Sequence, residues 1–209
     1  ACKDGHQQGE AKDDRQRQSG VFQYLCESGK YFVIRTCPAS PQRGDLEDQA
    51  GGKVTGVMAI RNIRTLGDEI LRKKSRPVEV IDDKILTLLD DMREMVETNN
   101  AYGIAAPQVG ILKRLVVLRS SDDEYIELIN PVITEQSGEA VDREGCLSVP
   151  DRVGYVKRPN KVKVTALNRH GETCEYTARG YLARVFCHEI DHLDGILYID
   201  KEMKAPAGF

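Results

Sequence analysis

The sequence lacks any apolar run of the ~20 residues that a membrane-spanning helix needs, and its first residues form no apolar signal core. It also lacks a marked excess of either charge, because 30 basic and 33 acidic side chains leave a formal net charge of −3. Such a balance provides no broad basic field for a phosphate backbone. We therefore expect a chain that neither crosses a membrane nor reads nucleic acid directly.

Closely spaced cysteine pairs are also missing. The six cysteines lie at positions 2, 26, 37, 146, 174 and 187, and no CxxC sequence occurs. A chain of 209 residues can bury a substantial core, so a disulfide scaffold is not needed for its stability. The sequence predicts reduced thiols in a cytoplasmic protein.

The chain divides into two regions of different composition. Residues 1–57 are mostly polar, with one short apolar stretch at 31–34 that could form a strand. Their acidic residues argue against a targeting presequence. We interpret 1–57 as an N-terminal extension that is disordered or non-native, and 58–209 as the main folded domain, with Met58 as a natural start.

Hydrophobic periodicity in 58–209 predicts an α+β fold. Apolar residues recur at helical spacing between Asp82 and Asn99, and Asp82 is a suitable N-cap. A second helix is predicted over 180–193. Strands are predicted over 115–118, 125–133, 153–156, 162–167, 173–177 and 196–199, with a hairpin turn at 168–171. This order of elements is typical of the α+β class.

The second predicted helix carries an HExxH sequence, His188 to His192. Histidines four residues apart lie one turn above each other on the same helix face, so both can reach one metal ion. Glu189 beside them can take a proton from a water molecule. Two of the four histidines of the chain fall at this spacing, which favours a metal site over a chance match.

A catalytic site of this type usually has a third protein ligand. Cys146 is the best candidate, because it follows a glycine and precedes a proline in a turn-like segment. Acidic residues after His192 are poorly spaced alternatives: Asp194, Asp200 and Glu202. His170 fits a turn, and Cys187 points about 100° away from His188 on the helix.

Three functions are compatible with these ligands. A metal-dependent hydrolase would use Glu189 as its base. A zinc endopeptidase would need a third ligand downstream of His192 and a long substrate cleft. A binding module with a structural metal would normally have four protein ligands, and no fourth is evident in the sequence.

Three motifs in this order resemble those of the peptide deformylases: 103–108 (GIAAPQ), 144–148 (EGCLS) and 188–192 (HEIDH). The resemblance extends over about residues 58–200. It implies a compact peptide-deformylase-like fold, with mixed or antiparallel sheets around a central HExxH helix. It also implies an enzyme that removes the formyl group from the N-terminal formyl-methionine of newly synthesised polypeptides and releases formate. An inactive relative is disfavoured, because every proposed ligand is present.

The same resemblance implies roles for individual residues. Cys146, His188 and His192 would hold Fe²⁺, with Zn²⁺, Ni²⁺ or Co²⁺ able to substitute. The Gln108 side chain and the Leu147 N–H would stabilise the oxyanion. The partners would be N-formylmethionyl nascent peptides, with transient ribosome association. Two positions depart from the family pattern, namely Ala101, where glycine is usual, and Cys187, where glutamine is common.

A slot for the methionine side chain is expected along the second helix. Tyr181, Val185 and the aliphatic stem of Arg184 precede His188 by one to two turns and could line it. The same residues could equally be plain core. Tyr102 and Gly103 could present backbone groups to an extended peptide, as an added strand does.

Overall fold

The computed structural model describes residues 21–25, 32–37, 61–121 and 124–205. Within these ranges the chain forms ten strands and two α-helices, which agrees with the predicted α+β class. The strands build one seven-stranded and one three-stranded sheet. Across the described ranges, no helix combines the length and the apolar character that spanning a membrane requires.

The first helix, α1, spans Asp83–Thr98, within one residue of the predicted bounds. The Asp82 side chain caps it by accepting a hydrogen bond from the N–H of Ile85 at 3.0 Å. Its apolar face is buried against the first strands of the domain. The buried side chains of this face are Ile85, Leu88, Leu89, Met92, Met95 and Val96. This packing supports the segment 101–110 that follows the helix and contains a short strand and a 3-10 helix.

The larger sheet is antiparallel throughout. Its strands are β1 (Val21–Leu25), β2 (Phe32–Thr36), β3 (Gly103–Ala105), β4 (Leu115–Ser121), β5 (Glu124–Ser137), β8 (Lys161–Leu167) and β9 (Thr173–Arg179). They lie in the order β1–β2–β9–β8–β5–β4–β3. The predicted turn between β8 and β9 is closed by Asn168, whose Oδ1 accepts hydrogen bonds from the N–H groups of His170 and Glu172.

The smaller sheet contains β6 (Ala140–Cys146), β7 (Val149–Arg158) and β10 (Glu202–Met203), in the order β10–β7–β6. The predicted strand at 196–199 is wrong, because Tyr198–Asp200 forms a short 3-10 helix. Gly195 turns the chain with φ 75°, and Asp200 accepts a hydrogen bond from the N–H of Leu197 at 2.8 Å. A four-residue apolar run could not distinguish a strand from this buried turn.

The second helix, α2, spans Tyr181–Leu193 and starts after Gly180, as predicted. It packs against β3, β4, β8 and β9 of the larger sheet and against β7 of the smaller one. Eleven of its residues are buried, which is typical of a helix enclosed on several sides. Side chains of α2 therefore meet residues of both sheets.

Two segments of the N-terminal extension belong to the larger sheet. β2 pairs with β9 over five residues, with Thr36 opposite Glu175, and β1 pairs with β2. This pairing corrects the expectation of disorder for these two segments. The rest of 1–57, and Met58, lie outside the described residues, so the proposed division at residue 58 stays a prediction.

A disulfide joins Cys37 to Cys174, which corrects the prediction that all cysteines are reduced. Register explains the bond: since Thr36 lies opposite Glu175, the next position along β2 lies opposite Cys174. The two cysteines are 137 residues apart in sequence, so spacing alone could not reveal their pairing.

Candidate active site

The three predicted ligands come together where α2 passes the end of β6. Cys146 ends β6, and His188 and His192 lie one turn apart on α2. Their ligand atoms lie within 4.8 Å of one another. The Sγ of Cys146 is 3.3 Å from Nε2 of His192. Three donor atoms therefore converge on one point from two elements.

An irregular pairing turns Cys146 toward the helix. Gly145 pairs with Val153, but Cys146 pairs with Val149, so the register shifts between these two consecutive residues. A turn at 147–148 then reverses the chain. The shift changes the direction of the Cys146 side chain at the end of its strand.

Glu144 orients the first histidine. Its Oε2 lies 2.9 Å from Nδ1 of His188, which leaves Nε2 of that ring for the cluster. Burial alone would raise the pKa of Glu144, but hydrogen bonds from His188 and Arg158, together with their charges, hold this pKa far below its usual range. Glu144 is thus a carboxylate that fixes the orientation of the His188 ring.

Arg158 connects Glu144 to the surface. Its Nε and Nη2 donate to the two oxygens of Glu144 at 2.9 and 3.0 Å. Its Nη1 donates to Asp191, and Asp191 also accepts from Lys201 at 2.6 Å. Asp191, inside the HExxH sequence, received no role from the sequence, yet the structure places it in this network.

The electrostatics of the cluster fit a bound cation. Burial lowers the pKa of His188, but hydrogen bonds to Cys146 and Glu144 and the charge of Glu189 outweigh burial and raise it to about 10. The groups around the His188 ring therefore stabilise a positive charge at that position. Burial, reinforced by the charges of His188 and Arg158, holds the pKa of His192 well below its usual value. A neutral imidazole of this kind is the form that ligates a metal.

Glu189 lies beside the cluster with its carboxyl buried. Among the described residues its Oε2 has no hydrogen-bond partner. Burial, only partly offset by the charge of His188, raises its pKa to about 7. A carboxyl with such a pKa both accepts and releases protons near neutral pH.

Gln108 is held in one orientation next to Cys146. Its Oε1 accepts a hydrogen bond from the N–H of Ala105 at 2.8 Å. Its Nε2 therefore faces the opposite side, where it lies 3.5 Å from Sγ of Cys146 and 3.2 Å from Oγ of Ser148. Ser148 is a further site residue that was not predicted, although it belongs to the EGCLS sequence.

A cavity of about 450 Å³ opens in front of the cluster. All predicted catalytic and substrate-binding residues line it: Glu189, Gln108, Leu147, Gly103, Tyr102, Val185, Tyr181 and Arg184. Tyr102 packs edge-on against Tyr181 with ring centroids 4.8 Å apart. His170 lies in the β8–β9 turn and Cys187 is buried, and neither lines the cavity.

The sequence is similar to known deformylases over most of its length. A family model described as polypeptide deformylase matches residues 60–206. Peptide deformylase 2 of Clostridium acetobutylicum is 58% identical over 144 residues, which cover 68% of this chain and 95% of that protein. The peptide deformylase of Acetivibrio thermocellus is 57% identical over 147 residues, covering 70% and 86%.

Solved structures show the same likeness. The peptide deformylase of Legionella pneumophila has a TM-score of 0.67 and 42% identity, covering 70% of this chain and 88% of that one. The peptide deformylase of Thermotoga maritima has a TM-score of 0.67 and 38% identity, covering 69% and 99%. From the family match and these similarities together, the chain belongs to the polypeptide deformylase family.

Proposed function

We propose that this enzyme removes the formyl group from the N-terminal formyl-methionine of newly synthesised polypeptides, with Glu189 as the proton carrier. One observation carries the assignment of Glu189: its buried carboxyl, whose Oε2 has no hydrogen-bond partner in the described part of the chain, lies next to a Cys/His/His cluster at the base of a cavity. Family membership supports the reaction.

Cys146, His188 and His192 are the proposed ligands of one divalent metal ion. When bound, such an ion polarises the formyl carbonyl and lowers the pKa of water. A thiolate with two imidazoles suits zinc and iron alike. We assign Fe²⁺ as the physiological metal from the resemblance to the family, with Zn²⁺, Ni²⁺ or Co²⁺ as substitutes.

The proton transfers follow from the position of Glu189. Its carboxylate accepts a proton from water as the water oxygen attacks the formyl carbon. The same carboxyl then donates that proton to the departing amine nitrogen as the C–N bond breaks. Formate and a free methionyl amine leave, so the carboxyl returns to its starting state.

Two donors are proposed for the oxyanion that forms during the attack. The Gln108 amide is pinned by its bond from Ala105, so its N–H groups need no reorientation during the reaction. The backbone N–H of Leu147 is the second donor, on the opposite segment of the cavity wall.

The methionine side chain is proposed to enter between Tyr102, Tyr181, Val185 and the stem of Arg184. β3 and β6 are edge strands of their sheets, so an extended peptide can pair between them. The carbonyl of Tyr102 already accepts from the N–H of Arg119 at 2.9 Å. We therefore propose that, on the β3 side, the backbone groups of Gly103 make most of the hydrogen bonds to the peptide.

The central position of the HExxH helix, α2, is part of this proposal, since it packs on both sheets.

We further propose that the enzyme acts in the cytoplasm and associates transiently with ribosomes, where formylated chains emerge. The Cys37–Cys174 disulfide weighs against a reducing compartment. The location is tested by alkylating free thiols as cells are lysed and then measuring whether Cys37 and Cys174 are joined or reduced.

Formate release tests the reaction. Protein prepared without air should release formate from formyl-Met-Ala in step with new amine, and its metal content should be measured on the same sample. Unformylated Met-Ala-Ser is the control substrate. Cleavage of that control peptide without formate release from formyl-Met-Ala would favour an endopeptidase and contradict the proposal.

A further inference from the structure

We propose that Arg184 is a positioning residue for the metal ligand His188 and acts through Glu144. The inference rests on the proposed function, because it takes His188 as a ligand. The sequence leaves Arg184 either as a wall of the methionine slot or as plain core. Its guanidinium instead belongs to the network behind the ligand.

The guanidinium of Arg184 joins α2 to the smaller sheet. The residue is 4% exposed. Its Nη1 donates to Oε1 of Glu144 at 2.7 Å and to the carbonyl of Val156 at 2.8 Å. Its Nη2 donates to the carbonyl of Ala140 at 2.9 Å. One side chain thus holds β6, β7 and the carboxylate that orients His188.

Arg184 and His188 contact the same carboxylate from the same helix. They are four residues apart on α2, so both project from one face. Arg184 binds Oε1 of Glu144, and His188 faces Oε2 at 2.9 Å. Glu144 lies on β6, two residues before Cys146. The two contacts therefore fix the helix that carries two ligands relative to the strand that carries the third.

Arg158 makes a different contact, because it connects Glu144 to α2 only through Asp191. It approaches Glu144 from β7 and also binds Asp191, but it does not originate on the helix that carries the histidines. The charge around Glu144 also depends on Arg184, because its guanidinium is one of the two that bind this carboxylate, the other being that of Arg158. Without Arg184, one cation fewer contacts the buried carboxylate of Glu144, and the carbonyls of Val156 and Ala140 lose a hydrogen-bond donor.

The arrangement predicts that Arg184 controls how firmly the site holds metal. Loss of the outer partner of a metal ligand, which is Glu144 for His188, typically lowers metal affinity by roughly 10–100-fold, and we expect a loss in this range when Arg184 no longer holds Glu144 in place. Arg184→Met keeps an unbranched stem against the slot but removes all three donated bonds. Arg184→Lys keeps the charge yet cannot reproduce the planar fork, so we expect it to fall between Arg184→Met and wild type.

The test measures the rate at which Zn²⁺ passes from the loaded enzyme to an excess of chromogenic chelator. Arg184→Met should lose Zn²⁺ roughly 10–100-fold faster than wild type, with KM for formyl-Met-Ala much less affected. Arg169→Met is the matched control. Arg169 pairs with Glu127 and Asp90 and does not line the cavity, so its loss should leave Zn²⁺ release unchanged.

Three outcomes overturn the inference. A folded Arg184→Met variant that releases Zn²⁺ at the wild-type rate would show that Arg184 is only packing. A raised KM with unchanged Zn²⁺ release would make it only a slot wall. If Arg184→Met does not fold, Arg184→Lys serves instead, and wild-type release from it would count against the proposal. Failure of wild type to bind one Zn²⁺ would instead contradict the ligand assignment itself.

Discussion

Gly103 and Glu189 are so close that position 103 has no room for a side chain. A β-carbon built on Gly103 would lie 2.9 Å from both Cγ and Oε1 of Glu189, and 2.9 Å from Cδ2 of Leu118. Such distances are far inside van der Waals contact. The glycine of the first motif thus permits the proposed proton carrier to occupy its position.

Gly103→Ala should lower kcat while the metal stays bound. The added methyl group must displace the Glu189 carboxyl or shift β3, and a displacement of about 1 Å can reduce a rate by roughly 100-fold. Steady-state kinetics with formyl-Met-Ala and metal analysis on the same sample check this. Gly145→Ala is the control, because a β-carbon there would meet Val153 only at 3.7 Å. Equal kcat values for both variants would contradict the crowding argument.

The ion pairs of Glu144 should make the fold sensitive to acid. Although burial opposes ionisation, the hydrogen bonds from His188 and Arg158 lower the folded-state pKa of Glu144 far below its unfolded value. Stabilisation is therefore fully present above the unfolded carboxyl pKa of about 4.3 and is lost as pH falls below it. Urea unfolding between pH 7 and pH 3 should show unfolding free energy declining over the acidic part of this range.

Glu144→Gln separates this effect from general acid unfolding. The amide cannot ionise, so the variant should be less stable than wild type at pH 7 but should lose less stability between pH 5 and pH 3. Parallel pH profiles for the two proteins would show that another carboxyl causes the acid sensitivity.

The Cys37–Cys174 bond should stabilise the chain without affecting catalysis. It spans 137 residues, and closing so long a loop in the unfolded chain contributes at most about 5 kcal/mol in the chain-entropy treatment. A reductant should therefore lower the unfolding free energy of wild type but not that of Cys37→Ser. Since neither cysteine lines the cavity, kcat should not change. A reductant-dependent kcat in wild type that Cys37→Ser lacks would contradict this separation.

Local patterns were sufficient to predict the two helices and most strands of the domain. α1 and α2 have one apolar periodicity each and clear boundary residues, so their bounds differed from prediction by a single residue at most. β6 was missed because consecutive charged residues, Asp142, Arg143 and Glu144, obscure any alternation. The pairing of β2 with β9 depends on long-range register, which local sequence does not encode.

The convergence of the three proposed ligands could be predicted because side-chain chemistry and helical spacing constrain it strongly. Cys146, His188 and His192 converge as expected, whereas the supporting network was only partly foreseen. The sequence assigned no role to Asp191, and it left Arg184 either as a wall of the methionine slot or as plain core. The guanidinium and the aliphatic stem of an arginine can lie in different surroundings. The position of Arg184 in the sequence therefore does not show which group its guanidinium contacts, and in the structure this group is Glu144.

Glu189→Ala tests the central claim most directly, with formate release and metal content measured on the same anaerobic sample. Because Glu189 is proposed to move protons and not to hold the metal, the variant should keep one metal ion per chain. Its kcat for formyl-Met-Ala should fall by roughly 100-fold to 10,000-fold. A variant that retains its metal and releases formate near the wild-type rate would contradict the account.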